Sequence, residues 1–590
     1  MFNRILRRFN YILKNIFPPF FYEFIFEFYL FFYKRKLDYD KRRWWNYEDL
    51  FFNNLKFKSL FTNELNGVLT VTLNQETKDC LIIKPFKKIK LDFNNEKKFL
   101  KEVIFIFGNK SKFESEELKG SYTVRTTESL IIDIKKPIKK KWINVWVAKD
   151  QLGESITISN NSNVDLYFSF IPVKHGKDFK NNVKNIILIA IDQLDFNTFN
   201  QLNNKNDLPF INSFFKDSIS YSNFYAAAEW TIPCVTSLIS GKYPSYHGRF
   251  DLKFMKKVKE DKLTSDSLIQ FLKTNNFFTF GISRSKGHHA AYNFHKDFDR
   301  FLYFPDNLFK NVMDDEKISR LAIENLESNL QGNNFLYLHY MSAHSPYYDT
   351  RFNEEKFLSR FRFSNSQSEY SNAIIDYGDT KIEPIMDEKK SKNISYRQKQ
   401  RIKNIDLMIG HLFSYLKIRD LTKNSVIIFT SDHGPNHFGK KNYPMLSYER
   451  LCVPLEIYHP NYTKNKIIVD DLISQVDIFN FIKSLIETEK LGYNSFFPFE
   501  KHSEREYVIS ESIFNKKFKI AIRTKEHLYY YCCKFDPENS EISLQTEKIN
   551  QLYKLNKNKM SLIEDINYMN YFYKILITHI SESKILKIKK

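Results

Sequence analysis

Two apolar, β-branched runs in the sequence each end in a carboxylate. The first, Asn-Ile-Ile-Leu-Ile-Ala-Ile, leads into Asp192, and the second, Val-Ile-Ile-Phe-Thr-Ser, leads into Asp432. Such runs predict buried parallel strands, and Phe277 to Ile282 and Phe335 to Met341 are two more. From Arg401 to Ile418 the apolar positions change to helical spacing. This alternation predicts an α/β fold, in which a mostly parallel sheet carries helices on both faces.

A different pattern occupies the chain before this region, from about residue 51 to residue 175. Short alternating segments are separated there by polar loops, which predicts an antiparallel, sandwich-like domain. Such a domain could hold a glycan acceptor or serve as a packing or spacer unit, and the sequence leaves both open. A polar linker, His175 to Lys184, follows it. The predicted strands are Gly67 to Leu73, Val103 to Phe107, Leu130 to Ile134, Trp142 to Val147 and Leu166 to Pro172.

The first 36 residues combine basic side chains with an aromatic run. That run, Ile16 to Tyr33, contains Glu23, Glu27 and a Pro-Pro pair. Two carboxylates are costly inside a spanning helix, and no small-residue cleavage site follows, so neither a membrane span nor a signal peptide is predicted. We expect Met1 to Lys36 either to lie on an anionic membrane surface or to dock on the protein's own core.

Length and charge narrow the class of protein. A chain of 590 residues is long enough for two or three domains with sizeable cores. A net charge of +21 favours anionic partners such as phospho-donors, acidic lipids or acidic glycans. No nucleic-acid recognition motif accompanies that charge, so no nucleic-acid partner is expected. Five cysteines without a CxxC pair indicate a reducing compartment rather than a disulfide-stabilised fold. We therefore expect a cytoplasmic protein, with peripheral contact to the inner face of the cytoplasmic membrane as an option.

The chemistry centres on the stretch from Trp230 to Gly248, which reads as a loop that leads into a helix. A helix N-terminus favours an anion, and the carboxyl ends of parallel strands are where an open α/β sheet presents its ligands. A hydroxyl at that helix start would therefore lie near the carboxylates and the imidazole of His433. These residue types can build a metal-assisted nucleophile.

Three stretches, in this order, resemble the sulfatase-like branch of the alkaline phosphatase superfamily. Sulfatases carry the signature Cys/Ser-x-Pro-x-Arg-x-Ser-Leu-Leu-Thr-Gly-x-x-Pro-x-x-His-Gly. Here Ser237 to Gly241, Pro244 and His247-Gly248 match it, while the usual Arg is Val235. The resemblance implies an alkaline-phosphatase-like catalytic domain and places the nucleophile at Thr231.

A threonine at the nucleophile position separates this chain from the typical sulfatase. Only Cys or Ser is converted to formylglycine, whereas phosphoethanolamine and phosphoglycerol transferases, which this chain resembles more closely, use Thr directly. Taken alone, Thr231 could also be a helix N-cap. Cys234 is the competing nucleophile, but Val235, Thr236 and Ser237 follow it where a formylglycine precursor would need Pro and Arg. We interpret Cys234 as a buried packing thiol.

Further histidines and a lysine follow from the same resemblance. His344, in Ser-Ala-His-Ser-Pro-Tyr, matches the His-x-Pro-Tyr element that contacts the substrate's anionic group. Lys286 and His288 stand near the family's Gly-Lys-x-His element, although the spacing departs from it. His437 corresponds to a substrate-contacting histidine in the loop after the last metal strand. A plainer interpretation of His344 is a loop residue that caps a strand end, and of Lys286 and His288 a solvated basic loop. For His339, within a strand, and His247, at the end of the signature, structural roles are favoured.

The resemblance also implies a metal site. Sulfatases have an Asp-Asp pair where this chain has Asp192-Gln193, so a ligand set of Asp192, Thr231, Asp432 and His433 is expected. Three oxygens and one nitrogen suit Zn²⁺ or Mn²⁺, and we predict one ion per chain. A bound cation would lower the pKa of the Thr231 hydroxyl, which would then form a phospho-threonine intermediate.

The expected function is transfer of a phospho-type substituent onto a bacterial cell-surface or capsular glycan. A narrower resemblance is to enzymes that add O-methyl phosphoramidate to capsules. A sulfatase or phosphodiesterase that releases product to water is the first alternative, and an inactive glycan-binding relative is the second. We predict a helical segment at 1–50, a sandwich-like domain at 51–175, a catalytic domain at 184–535 and an extension at 536–590 that completes it. Within the catalytic domain, the polar stretch from Phe352 to Gln400 is predicted to be an irregular excursion over the site.

Overall fold

The computed structural model describes most of the chain beyond residue 54. The predicted segment at 1–50 lies outside the described residues. These are 55–57, 65–73, 76–92, 100–108, 121–126, 129–134, 142–153, 155–177, 179, 182–250, 267–288, 294–295, 297–303, 315–344, 388–435, 446–461, 465–487, 505–514, 516–546, 548–556, 559–583 and 585–589.

The N-terminal region is rich in strands, as the alternating pattern predicted. β4, β9, β6 and β7 form a four-stranded antiparallel sheet, which packs on β3, β10, β5 and β8 through a shared apolar core. The strands are β1 (Leu55–Phe57), β2 (Leu65–Leu73), β3 (Glu76–Ile83), β4 (Lys88–Asp92), β5 (Leu100–Gly108), β6 (Tyr122–Arg125), β7 (Leu130–Ile134), β8 (Ile143–Ala148), β9 (Ser155–Asn160) and β10 (Leu166–Lys174).

A large mixed sheet forms the centre of the molecule. Its strand order is β19-β12-β18-β17-β11-β16-β14-β15-β3-β10-β5-β8, and the strands from β17 to β15 are parallel. The strands that follow the N-terminal region are β11 (Asn185–Ile191), β12 (Ile219–Tyr221), β13 (Phe224–Tyr225), β14 (Phe277–Ser283), β15 (Arg300–Tyr303), β16 (Asn333–Tyr340), β17 (Ser425–Ser431), β18 (Leu455–Tyr458), β19 (Ile467–Val469) and β20 (Ile473–Ser474).

Helices cover both faces of this sheet, which confirms the predicted α/β class. One face packs on α1, α2, α6 and α7, and the other on α3, α5 and α9. The helices are α1 (Phe196–Asn204), α2 (Pro209–Phe214), α3 (Thr231–Ser240), α4 (Pro244–His247), α5 (Leu268–Thr274), α6 (Glu316–Ser328), α7 (Glu388–Ile418), α8 (Tyr448–Leu451), α9 (Asp477–Glu487) and α10 (Ile566–Glu582).

Helix α7 corrects one expectation. The irregular excursion predicted for Phe352 to Gln400 is wrong for residues 388–400, which form the first turns of the 31-residue helix. Residues 352–387 of that stretch lie outside the described residues. Gln398, in this part of the helix, is fully buried and donates from Nε2 to the backbone carbonyl of Gln193, at 2.6 Å. The polar composition therefore belongs to a helix that contacts the loop after β11.

A second sheet of seven strands closes the C-terminal region, and α10 packs on it. This sheet begins before residue 535, so strands on both sides of the predicted 535/536 boundary belong to it. Among the described residues, no helix is both long and apolar enough to cross a bilayer. The five cysteines all lie within the described part, are buried and form no disulfide. The strands are β21 (Val508–Phe514), β22 (Lys517–Arg523), β23 (His527–Asp536), β24 (Glu541–Ser543), β25 (Ile549–Asn556), β26 (Lys559–Ile563) and β27 (Lys587–Ile588).

Candidate active site

Two neighbouring parallel strands bring the candidate ligands together. β11 pairs with β17 so that Ile191 lies opposite Ser431. The next residue on each strand, Asp192 and Asp432, therefore emerges at the same edge of the sheet. One ligand atom from each of Asp192, Asp432 and His433 lies within 4.8 Å of the others, and all three residues are buried.

Thr231 lies at the start of α3 and points its hydroxyl at this cluster. Its Oγ1 is 3.5 Å from Asp192 Oδ2 and 3.4 Å from His433 Nε2. The N-cap of α3 is Trp230, which makes no capping hydrogen bond with its side chain, and Thr231 is the first helical residue. The alternative interpretation of Thr231 as an N-cap is therefore wrong.

The two carboxylates differ in their electrostatic environment. Burial raises the pKa of Asp192 well above its ordinary value, and the nearby Asp432 carboxylate adds to the rise. Burial also acts to raise the pKa of Asp432, but His433 and His339 outweigh it, so that this pKa is lowered. Asp432 Oδ1 also accepts hydrogen bonds from the backbone N–H groups of Gln193 and His433, at 3.1 and 2.8 Å.

The ring of His433 is held in one orientation by its own loop. Its Nδ1 lies 2.8 Å from the carbonyl oxygen of Gly434, which can only accept, so Nδ1 carries the proton. Burial lowers the pKa of His433, although Asp432 opposes the effect, and Arg450 and His344 contribute to the lowering. The imidazole is therefore neutral and turns the lone pair of Nε2 toward Thr231, the arrangement that a metal-ligating histidine needs.

These donors fit a divalent cation. Asp192 Oδ1 and Asp432 Oδ2 are buried without a hydrogen-bond partner, which is costly for carboxylate oxygens. A cation bound to them would satisfy both oxygens and offset the repulsion between the carboxylates. Asp192, Thr231, Asp432 and His433 would hold it, and a set of three oxygens and one nitrogen suits Zn²⁺ or Mn²⁺.

His339 is buried, as the core interpretation predicted, and it also lies beside the carboxylate cluster. It is fully buried on β16, but its Nε2 lies 3.8 Å from both Asp192 Oδ2 and Asp432 Oδ2. Neither ring nitrogen has a hydrogen-bond partner. A signal was available in the sequence, because His339 stands near the carboxyl end of the predicted strand from Phe335 to Met341.

The predicted substrate-binding residues are placed differently from one another. His344 is half-buried and lies close enough to His433 to affect the pKa of that imidazole. Lys286 opens a short 3₁₀ turn after β14, whose last residue is His288. His288 is fully buried, with Nε2 2.8 Å from the Tyr337 hydroxyl, which corresponds to a packing role rather than to the predicted contact with substrate. His437 lies outside the described residues.

Cys234 and His247 have structural partners. The Cys234 thiol donates to the carbonyl oxygen of Ala228 at 3.1 Å, and burial raises its pKa well above the ordinary value. His247 Nε2 lies 3.1 Å from Ser237 Oγ, and its Nδ1 accepts from the backbone N–H of Arg249 at 3.0 Å. Both residues therefore hold the signature helix and the turn after it in place.

Gln475 joins the loop before α3 to the end of β17. Its Nε2 donates to the carbonyl oxygens of Ser431 and Asp432, at 3.1 and 2.6 Å, and its Oε1 accepts from the backbone N–H of Ala227. Near the same loop, Glu229 forms buried ion pairs with Arg450 and Lys519. These contacts fix the position of the loop before α3 relative to the end of β17.

One protein family and several solved structures are similar to this chain. Residues 184–487 match the sulfatase family model. One solved structure with a similar fold is a protein in complex with its substrate, D-glucosamine-2-N,6-O-disulfate. It is 14% identical to this chain, the match covers 68% of this chain and 97% of that chain, and the TM-score is 0.51. Phosphonate monoester hydrolases from Silicibacter pomeroyi and Agrobacterium radiobacter each show 14% identity over 68% of this chain and 96% of theirs, with TM-scores of 0.48 and 0.49. No curated protein matches the chain by sequence.

The matched segment covers more than half of the chain, and the chain belongs to the sulfatase family. Its catalytic region has the alkaline-phosphatase-like fold, and it is an enzyme of that superfamily. Enzymes of this superfamily are generally metal-dependent, which agrees with the buried group of Asp192, Asp432 and His433.

Proposed function

We propose that the protein transfers a phospho-type group by way of a covalent Thr231 intermediate. The observation that carries this proposal is the position of Thr231 Oγ1, between Asp192 Oδ2 and His433 Nε2. The competing nucleophile, Cys234, donates its thiol hydrogen to the Ala228 carbonyl and has a raised pKa, so it is neutral near pH 7.

The reaction would proceed in two displacements at one phosphorus atom. The Thr231 hydroxyl loses its proton toward Asp192 Oδ2 as Oγ1 forms a bond to phosphorus, and the bond from phosphorus to the leaving oxygen breaks. His344, which is half-buried and acts electrostatically on His433, is suited to protonate that leaving oxygen. An acceptor hydroxyl then attacks the same phosphorus and gives its proton to His344, the bond from phosphorus to Oγ1 breaks, and Thr231 recovers its proton from Asp192. A bound divalent cation would supply Lewis-acid stabilisation of the negative charge.

The acceptor decides between transferase and hydrolase. A sugar hydroxyl of a cell-surface or capsular glycan is our proposed acceptor, because the net charge of +21 favours anionic glycans and phospho-donors. Membership of the sulfatase family favours the second candidate, a sulfatase or phosphodiesterase that uses water. The intact set of Asp192, Thr231, Asp432 and His433 speaks against the third, an inactive glycan-binding relative.

Intact-mass spectrometry with matched variants tests the nucleophile. Wild-type protein incubated with bis(4-nitrophenyl) phosphate should gain the mass of one phospho-group, whereas 4-nitrophenyl sulfate should leave the mass unchanged. Thr231→Ala should remove the adduct and lower turnover by several orders of magnitude, while Thr231→Ser should keep measurable activity. Turnover that rises when a glycan acceptor is added would support transfer over hydrolysis.

Cys234→Ala is the matched control, because it removes a buried side chain from the same helix without touching the hydroxyl. We expect only a change in stability, of the size that a packing substitution causes. An inactive Cys234→Ala protein that still folds and binds metal, beside an active Thr231→Ala protein, would contradict the proposal and restore Cys234 as a formylglycine precursor.

A further inference from the structure

The turn after β14 lies against the side chain of Thr231. A Cβ atom added at Gly287 would meet Thr231 Cγ2 at 2.8 Å and Thr231 Cβ at 3.1 Å. Optimal carbon–carbon contacts are about 3.5 to 4.0 Å, so residue 287 has no room for a side chain while Thr231 keeps its present conformation. Gly287 therefore faces the methyl side of Thr231, and the hydroxyl faces Asp192 and His433.

Glycine is required at this position for space rather than for backbone freedom. The left-handed glycines among the described residues are Gly241 and Gly248, and Gly287 is not one of them. An alanine could therefore adopt the backbone conformation of residue 287 without strain. The contact with Thr231 is the cost that such a substitution would add.

The turn is held firmly enough that it cannot easily move away from Thr231. His288 anchors one end, since its ring is buried, bonds Tyr337 through Nε2 and packs edge-on against Phe294 at 4.5 Å between ring centroids. Ser285 fixes the other end, because its Oγ accepts from the backbone N–H of Gly287 and its carbonyl accepts from that of His288. An added Cβ would therefore displace the Thr231 side chain rather than the turn.

We propose that Gly287 is a positioning residue that selects the Thr231 rotamer with its hydroxyl toward Asp192 and His433. The methyl and the hydroxyl of threonine occupy two of the three staggered positions at Cβ. The space beside Gly287 that accepts the methyl therefore also fixes the direction of the hydroxyl. The inference rests on the proposed function for its catalytic meaning. The buried His288 then has a structural role, because it anchors the turn that places Gly287 against Thr231.

The steric test is a double-mutant cycle between Gly287→Ala and Thr231→Ser. With Thr231 present, Gly287→Ala should lower kcat for bis(4-nitrophenyl) phosphate by about tenfold to a hundredfold, with little change in KM, because the nucleophile is misplaced. The serine variant lacks the methyl group that makes the closest contact, at 2.8 Å, and its hydroxyl can adopt another rotamer. Adding Gly287→Ala to Thr231→Ser should therefore change kcat by less than about threefold, and this difference measures the coupling.

Gly153→Ala is the matched control, because a Cβ at Gly153 would approach its neighbours no closer than 3.4 Å, which is ordinary contact. It should behave as wild type in kcat and melting temperature. The rotamer itself is read from a crystal structure of Gly287→Ala, in which Thr231 Oγ1 should have left Asp192 and His433. This readout tests the inference even when a probe is not turned over.

Each failure has its own signature. A Gly287→Ala protein with the wild-type rotamer of Thr231, or with an equal loss of kcat in the Thr231→Ser background, would overturn the positioning role. A wild-type rate in Thr231→Ala, with no mass adduct on the wild-type protein, would overturn the proposed nucleophile instead.

Discussion

Asp192 and Asp432 each keep one buried oxygen that has no hydrogen-bond partner. Two such carboxylates next to a neutral imidazole lone pair make an unfavourable arrangement unless a cation is bound. We therefore expect purified protein to carry about one transition metal ion per chain, as single sites of this ligand type do. The His433→Ala variant should lose it, as measured by elemental analysis. An active wild-type protein without metal would contradict the assignment.

His175→Ala is the control for the metal measurement, because His175 is exposed and precedes the catalytic region. It should keep the wild-type metal content. Metal binding should also weaken as the pH falls, because protons compete for the carboxylates and for His433 Nε2. Metal loss that is independent of pH would indicate ligands other than these.

At the level of single residues, sequence reasoning reached the polar groups that end strands or begin a helix. Asp192 and Asp432 follow apolar runs whose ends can be read from the hydrophobic pattern, whereas Thr231 was predicted from the family resemblance. His339 was assigned to the core because strand alternation tells which residues are buried but not what they face inside. His288 was assigned to substrate because a family motif gives proximity in the chain, whereas its ring turns toward Tyr337.

Among elements, β14, α6 and the end of β16 are joined by one buried ion pair. Asp315 accepts from Arg284 Nη1 at 2.8 Å and from the backbone N–H of Ser342 at 2.8 Å, two residues before His344. Asp315→Ala should lower the free energy of unfolding by about 3 to 5 kcal/mol, because a buried guanidinium loses this partner. Asp315→Asn keeps an acceptor and should cost less. Thermal melting measures both, and equal melting temperatures for Asp315→Ala and wild type would contradict the prediction.

Strands were easier to predict than the polar N-terminal part of α7. The apolar spacing from Arg401 to Ile418 identified the second half of α7, because those positions pack on the sheet. Residues 388–400 lack that regular apolar face, and within this part Gln398 is buried and bonded to the Gln193 carbonyl. Tertiary contacts of this kind leave no period in the sequence.

For the molecule as a whole, the N-terminal strands continue the catalytic sheet. β3 pairs antiparallel with β15, so that Phe301 lies opposite Thr77, and one core contains side chains of both regions, such as Ile106 and Ile187. The alternation of polar and apolar residues predicted the strands and the sandwich. The pattern could not predict that β3 pairs with β15, because alternation shows which face of a strand is buried but not which strand lies beside it.

The segment predicted to contact a membrane, Met1 to Lys36, lies outside the described residues, so the following prediction is based on its sequence. We expect removal of Met1 to Lys36 to lower binding to phosphatidylserine liposomes, because the segment combines basic residues with an aromatic run. Soluble turnover should remain. Co-sedimentation of full-length and truncated protein measures the difference, and equal binding would favour docking of the segment on the protein itself.

A buried charge cluster lies where the two parts of the large sheet join. Glu76 on β3 accepts from Arg300 Nε at 3.2 Å and lies 3.0 Å from Lys78 Nζ. Burial acts to raise the pKa of Glu76, but Lys78 and Arg300 outweigh it, so the pKa falls below 4.5. The charged form therefore stabilises the fold at pH values above about 4.5, and this contribution is lost as the pH falls below it.

Exchange of this carboxylate for an amide should act on the whole molecule. Glu76→Gln should lower stability at pH 7 by about 3 to 5 kcal/mol, and the gap to wild type should narrow below about pH 4.5. The control is Asp165→Asn, which makes the same exchange in the exposed ion pair of Lys84 and Asp165. It should lower the free energy of unfolding by about 0 to 1 kcal/mol. Because the N-terminal and catalytic regions share a sheet and a core, we expect them to unfold together. Calorimetry should therefore show a single main unfolding transition that moves to lower temperature in Glu76→Gln. A shift confined to a minor early transition would mean that the N-terminal region unfolds separately.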